Sequence, residues 1–286
     1  MEWRDWEPKT LAAERHRREV NGAVAARAAP EMELEARIEI AGVPALKCMP
    51  KDCRSSVPHI FVHGGGWVFG SSLQSLGLIR RIAAQTARPV ISLDYALAPE
   101  HPYPQAIEDV AAALTELAGS DGVAGIIGGS AGAQIALHAV SKSVGSGLRG
   151  AVLFCGAFGQ TTQTWSHRVF GQGPIQGFWQ GQRQGQGQLS TNDMQRFLNA
   201  YAMPVGTPSP DPSNLPPLFL SVGDSDPLLD DTLQLHAAVQ QGHGSELEIV
   251  PGAGHGFMNN WHTTPRINNA VTDALDWLEQ RCAAPA

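Results

Sequence analysis

The chain has 286 residues, with 20 Lys and Arg against 27 Asp and Glu for a formal net charge of −7, and 43% of its residues are hydrophobic. A charged fraction of 16% beside that apolar content excludes disorder for most of the chain, and the length suits a single layered α/β domain spanning 1–286. The acidic balance and the lack of Lys/Arg runs argue against nucleic acid or an anionic membrane surface as the partner.

The N-terminus is charged from Glu2 onward and lacks the apolar run of a signal peptide, and no stretch approaches roughly 18 consecutive apolar residues. A soluble, cytoplasmic protein without membrane insertion is expected; its oligomeric state is left open. Thr10 to Val20 is rich in helix formers and reads as a surface helix or flap. Leu34, Ala36, Ile38 and Ile40 then alternate with charged neighbours, the period of a half-exposed strand, and Gly42 turns the chain toward a hairpin partner over Val43 to Met49.

From residue 57 the rhythm changes to short apolar runs, Ile60–Val62, Val90–Leu93, Val123–Ile127, Ala151–Phe154, Leu218–Val222 and Leu247–Val250. They alternate with segments of helical length, Leu76–Ala87, Pro104–Leu117, Ala131–Ser143, Leu228–Gln241 and Thr264–Arg281. That alternation predicts an α/β fold, a mostly parallel central sheet covered by helices on both faces. A Gln/Gly-biased run from Gly171 to Leu189, carrying Phe178 and Trp179, interrupts it and reads either as a flexible tether or as a lid over a pocket. The cysteines Cys48, Cys53, Cys155 and Cys282 form no C-x-x-C pair and no metal-type spacing with histidine, so free thiols and no metal site are expected.

Chemistry concentrates at the strand ends. Gly128-Gly-Ser-Ala-Gly132 is a G-x-S-x-G between an apolar run and a helical segment, where glycines permit the sharp turn that projects a serine nucleophile. His63-Gly-Gly-Gly-Trp67 follows Ile60–Val62 and leaves backbone N–H groups unshielded, as an oxyanion hole requires; no Lys-Ser/Thr follows, so a phosphate loop fits poorly. Serine needs a base, and of ten histidines His255 lies in a Gly-flanked loop after the last predicted strand, whereas His16, His138 and His236 fall in helical stretches and His167, His243 and His262 in polar segments with exposure as the default. His63 is expected to fix its own loop by hydrogen bonding. Asp224 or Asp226 supplies the acid, and the order Ser130, acid, His255 is that of the α/β-hydrolases.

These motifs, together with Asp94-Tyr-Ala-Leu-Ala-Pro-Glu-His-Pro-Tyr-Pro104, Asp226-Pro-Leu228 and His255-Gly-Phe257, make the chain resemble the hormone-sensitive-lipase-like bacterial carboxylesterases of the α/β-hydrolase fold. The resemblance implies Ser130 as nucleophile, Asp226 and His255 as its partners, the N–H groups of Gly65, Gly66 and Ala131 as oxyanion donors, and a structural role for Asp94 to Pro104. It implies a serine carboxylesterase acting on short-chain acyl esters, a small-molecule substrate, through an acyl-enzyme without metal or organic cofactor. It also implies a small cap, here about 1–30 and 159–200. Aryl amides, lactones and carbamates share the tetrahedral oxyanion and are the alternative substrates; a non-catalytic ligand-binding protein on this scaffold is the rival of another class, since the family includes hormone receptors. The chain departs from the family pattern in Gly129, where an acidic residue is common, and in Ala133.

Pro227 restricts Asp226 to extended or turn geometry just before a helix, whereas Asp224 suits a turn or cap, and Asp230 and Asp231 are expected to face solvent in the first helical turn. Trp67 and Phe69, with either Trp165 or Trp179, are the large side chains expected to crowd the pocket.

Overall fold

The computed structural model describes residues 8–120, 122–143, 147–172, 189–240 and 245–283. The Gln/Gly run from 173 to 188, with Phe178 and Trp179, and His243 lie outside them. The alternating segment forms β1 (Met32–Ile40), which turns through Ala41 and Gly42 into β2 (Val43–Pro50). The apolar runs form β3 (His59–Val62), β4 (Val90–Leu93), β5 (Gly125–Gly129), β6 (Ala151–Phe154), β7 (Leu218–Gly223) and β8 (Ser245–Val250). They make one eight-stranded sheet in the order β1-β2-β4-β3-β5-β6-β7-β8, in which β2 alone runs against the others.

The helices are α1 (Pro8–Ala25), α2 (Leu76–Thr86), α3 (Gln105–Ala118), α4 (Ala131–Lys142), α5 (Trp165–Phe170), α6 (Thr191–Tyr201), α7 (Leu229–Val239) and α8 (Pro265–Ala283). Strands β3 to β7 are buried along their whole length because alternate residues serve two cores. Ile60, Val62, Ile126 and Leu153 pack on the face that carries α3, α4 and α7. Phe61, Ile127, Val152 and Phe154 pack on the face that carries α2 and α8. Continuous apolar strands rather than alternating ones are the signature of such a doubly covered sheet.

β5 lies two residues later than its apolar run predicts. Gly128 and Gly129 belong to it because they pair with Leu153 and Phe154 of β6, and Gly128 also with Val62 of β3, so pairing from both sides overrides glycine's poor strand propensity. The strand therefore runs directly into the serine. Chain connections leave β3 and β5 toward opposite faces, into α2 and α4. In open α/β sheets such a switch point opens a crevice at the carboxyl ends of the strands. No described helix is long and apolar enough to cross a membrane.

Candidate active site

Ser130 occupies the turn between β5 and α4 with φ 55° and ψ −122°, a conformation that side chains other than glycine's rarely adopt. The neighbouring glycines leave room for that turn. A Cβ on Gly132 would lie 2.2 Å from the Val62 carbonyl oxygen, and one on Gly128 would lie 2.7 Å from the Gly132 oxygen. The turn is pinned from β6, where Ser130 N–H donates to the Phe154 carbonyl at 2.9 Å. Ala131 begins α4, so its N–H has no intrahelical acceptor.

Opposite it, the loop after β3 runs over Gly64, Gly65 and Gly66, the last two at φ 132° and 62°. Gly65 has its back to the Phe69 carbonyl, 2.2 Å from where a Cβ would stand, so only glycine fits. The 94–104 segment supports this loop, as expected of a structural motif: Tyr95 Oη donates to the His63 carbonyl at 2.7 Å and Ala98 N–H to the Trp67 carbonyl at 2.9 Å. His63 is buried, stacks on Tyr95 and bonds the Gly64 carbonyl through Nδ1 at 3.0 Å; burial lowers its pKa and keeps it neutral. Trp67 sends its indole N–H into the core to Gln134 and stacks on Tyr201.

The acid and the imidazole come from two loops zipped to each other. Ser225 N–H donates to the Ala253 carbonyl, and the Asp224 carboxylate accepts from Gly252 N–H at 2.9 Å, so Asp224 ties the turn. This brings His255 Nδ1 to 3.1 Å from both carboxylate oxygens of Asp226, while His255 Nε2 stands 2.9 Å from Ser130 Oγ. A carboxylate only accepts, so the ring proton sits on Nδ1 and Nε2 is free to take the serine proton. Asp226 is fully buried and also accepts from Leu228 N–H at 2.8 Å. Gly64, Gly65, Gly66, Ser130, Ala131 and His255 all line one cleft of about 710 Å³. Three loops and the start of α4 converge at this cleft.

Several expectations fail around this site. Asp231 does not face solvent: it is buried, accepts from Gly159 N–H at 2.8 Å, and leaves Oδ1 without a partner. Burial raises its carboxyl pKa to about 7. Asp230 likewise turns inward, accepting from Ser166 N–H at 2.9 Å. His167 is not exposed but wholly buried in α5, its Nδ1 held by Thr164 Oγ1 at 2.7 Å, and burial lowers its pKa. Asp230 is engaged by α5, seated on the start of α7, and Asp231 by the loop after β6 at Gly159, tertiary contacts between segments more than 60 residues apart. Trp165 contributes nothing to the cleft, being 54% exposed and edge-on to Phe170. Phe69 does line it, along with Leu189, Met194, Phe197 and Met258.

The four cysteines are free. Two of them nevertheless join sets of metal-type donors that sequence spacing did not reveal: Cys155 with Asp226 and His255, and Cys282 with His59 and Glu279, each within 4.8 Å. In the first set burial raises the thiol pKa well above its usual value, and the other two members already bond each other. In the second, Glu279 already bonds His59 at 2.7 Å and Arg88 at 2.9 Å.

A family model for the alpha/beta hydrolase fold matches residues 59–259, so the chain belongs to that family. Within it, an acetyl esterase of Salmonella choleraesuis (strain SC-B67) is 28% identical over 247 residues, covering 79% of this chain and 72% of that protein. Among solved structures, the thermophilic carboxylesterase EstE1 from a metagenomic library superimposes with a TM-score of 0.81 at 25% identity, covering 96% of this chain and 98% of its own. An esterase from the bacterial hormone-sensitive lipase family gives a TM-score of 0.80 at 22% identity, covering 98% and 95%, a likeness of fold.

Proposed function

We propose that the chain is a carboxylic ester hydrolase of the hormone-sensitive-lipase-like kind, a serine carboxylesterase acting on short-chain acyl esters. The observation that carries this reading is the continuous line from Asp226 through His255 to Ser130 Oγ, set on a positive-φ turn that faces a glycine loop across one cleft. The acetyl esterase and carboxylesterase relatives support it independently.

In the mechanism this geometry supports, Ser130 Oγ attacks the ester carbonyl as its proton passes to His255 Nε2. Asp226 holds the ring in the required tautomer and stabilises the imidazolium. Negative charge develops on the carbonyl oxygen, where the N–H groups of Gly65, Gly66 and Ala131 receive it; each preorganised donor is worth about 3 kcal/mol. The imidazolium then gives its proton to the departing alkoxide, the C–O bond breaks and an acyl-serine remains. Water repeats the cycle, its proton passing to His255 and on to Ser130 Oγ as the acid leaves. The short-chain preference rests on the wall of Leu189, Met194, Phe197 and Phe69 beside the glycine loop. Phe197 lies directly over Gly66, within 2.5 Å of where a Cβ would stand.

The cap proposed for about 1–30 and 159–200 includes, among the described residues, α1, α5 and α6. α1 reaches the glycine loop through Arg15, which donates to the carbonyls of Val68 and Ala98 at 2.9 Å, and α6 reaches it through Phe197. A fluorophosphonate probe combined with a panel of 4-nitrophenyl esters, an anilide and a lactone tests the proposal. One label per chain on Ser130, with ester turnover falling beyond about C6, is the expected result; stoichiometric label on another serine, or preference for the anilide or lactone, overturns it.

A further inference from the structure

Gly129, the residue before the nucleophile, has no side chain, and its space is not empty. A Cβ built there would lie 2.2 Å from Met258 Cε. Met258 sits three residues after His255, in the single 3₁₀ turn Phe257–Asn260, whose Phe257 packs edge-on against Phe154 in the core. Its sulfur is approached by the Cys155 thiol at 3.8 Å and by Asn259 Nδ2 at 4.0 Å. The thioether is thus anchored at sulfur while its methyl fills the notch beside Ser130. Although only 3% exposed, Met258 lines the cleft.

We infer that Met258, fitted against Gly129, is the residue that limits the size of the alcohol half of the ester; the inference rests on the serine esterase reading above. The side of the cleft follows from proton transfer. His255 Nε2 must reach the leaving oxygen, so the alcohol lies toward His255 and the turn that follows it, where Met258, Asn259 and Trp261 form the wall. The acyl chain is then directed toward Leu189, Met194 and Phe197. Gly129 and Met258 act as one wall: the methyl group is the end of a flexible side chain, so a Cβ at 129 pushes it into the cleft, whereas shortening residue 258 opens the notch.

The test uses two ester series with the full chain, one varying alcohol length on a fixed acetyl group and one varying acyl length on a fixed 4-nitrophenyl group. Met258→Ala is expected to raise the kcat/KM ratio of octyl to methyl acetate by about tenfold, the scale at which pockets discriminate a few methylenes. Gly129→Ala is expected to lower the same ratio, and the double variant to lie between the singles. Met258→Leu, which keeps the volume, should keep the ratio, and the acyl series should move less than threefold, on the order of ordinary repacking effects. An unchanged alcohol ratio in both Met258→Ala and Gly129→Ala, an equal loss of kcat for every ester, or a shift confined to the acyl series overturns the inference. Fluorophosphonate labelling of each variant separates the two readings. Label on Ser130 with an unmoved ratio defeats only this inference, whereas no label and no turnover in the unmodified protein defeats the esterase reading itself.

Discussion

The molecule holds two gatherings of serine, histidine and aspartate. Ser130, His255 and Asp226 meet at the open ends of the strands; in a second clamp Ser166 of α5 meets Asp230 of α7, with His167 of α5 and Asp231 of α7 buried on the same two helices. In the clamp Ser166 Oγ donates to the Pro227 carbonyl at 2.8 Å and accepts from Asp230 N–H, and His167 gives its Nδ1 to Thr164. Ser166 and His167 are consecutive in one helix, and neighbours at that spacing point in different directions. Ser130 and His255 come from different loops, which lets an imidazole nitrogen face the hydroxyl at 2.9 Å with the cleft on the other side. In the proposed triad the residues come from separate loops and Ser130 lines the cleft; in the clamp Ser166 bonds backbone groups of Pro227 and Asp230 instead.

The aspartates differ in the same way. Asp226 receives N–H groups from His255 and Leu228, whereas Asp231 receives one from Gly159 and keeps an oxygen bare. For Asp231, burial with that single donor favours the neutral form.

The largest contrast is expected between the two serines. Ser130→Ala should lower kcat for 4-nitrophenyl acetate by about 10⁶-fold with an unchanged melting temperature, the scale seen when a serine nucleophile is removed. If Ser166→Ala did this instead, the assignment of the two gatherings would be reversed. Next, Asp226→Asn should lower kcat by about 10⁴-fold through loss of the correct tautomer, while Asp224→Asn, whose carboxylate only ties the 224–252 turn, should be read mainly in thermal stability. Steady-state kinetics and melting curves on both variants decide which aspartate serves the ring.

The third prediction concerns pH. Because the Asp231 pKa rises from 3.8 unfolded to about 7 folded, the folded state binds the extra proton between those values, so this group's contribution falls as pH rises from about 4 to 7. Asp231→Asn should therefore be nearly neutral at pH 4 and stabilising by ~4 kcal/mol at pH 8, as measured by denaturant unfolding at the two pH values. A stability difference independent of pH would place the carboxyl outside the clamp's energetics. The smallest effect is expected for Ser166→Ala, which removes the Oγ bonds to Pro227 and Asp230; it should cost about 1–2 kcal/mol of stability and leave fluorophosphonate labelling of Ser130 intact.

Much of this was legible along the chain. Apolar runs that must be buried on both faces marked five inner strands, and glycines at 64, 65, 128 and 132 marked the places where backbone has to pass within touching distance of backbone. Ser130, Asp226 and His255 stood out because each falls in a short loop directly after a strand. The residues that were misjudged share a different property. Asp230, Asp231 and His167 are polar residues on short or exposed-looking helices, and polar patterns read as solvated unless a partner is known. Trp165 was misjudged in the opposite sense, an aromatic residue whose helix turns it outward.

Local sequence thus determined the order of elements, the doubly covered sheet and the identity of the strand-end residues, since periodicity, glycine placement and turn chemistry act within a few residues of themselves. Tertiary structure alone decided that α5 would seat on Asp230, that Gly159 would meet Asp231, that Met258 would fill the notch left by Gly129, and that Cys155 would lie against Asp226 and His255. Those contacts join segments 60 to 130 residues apart, and burial, unlike helical or strand period, belongs to the pair of surfaces that meet and leaves no mark on either sequence by itself.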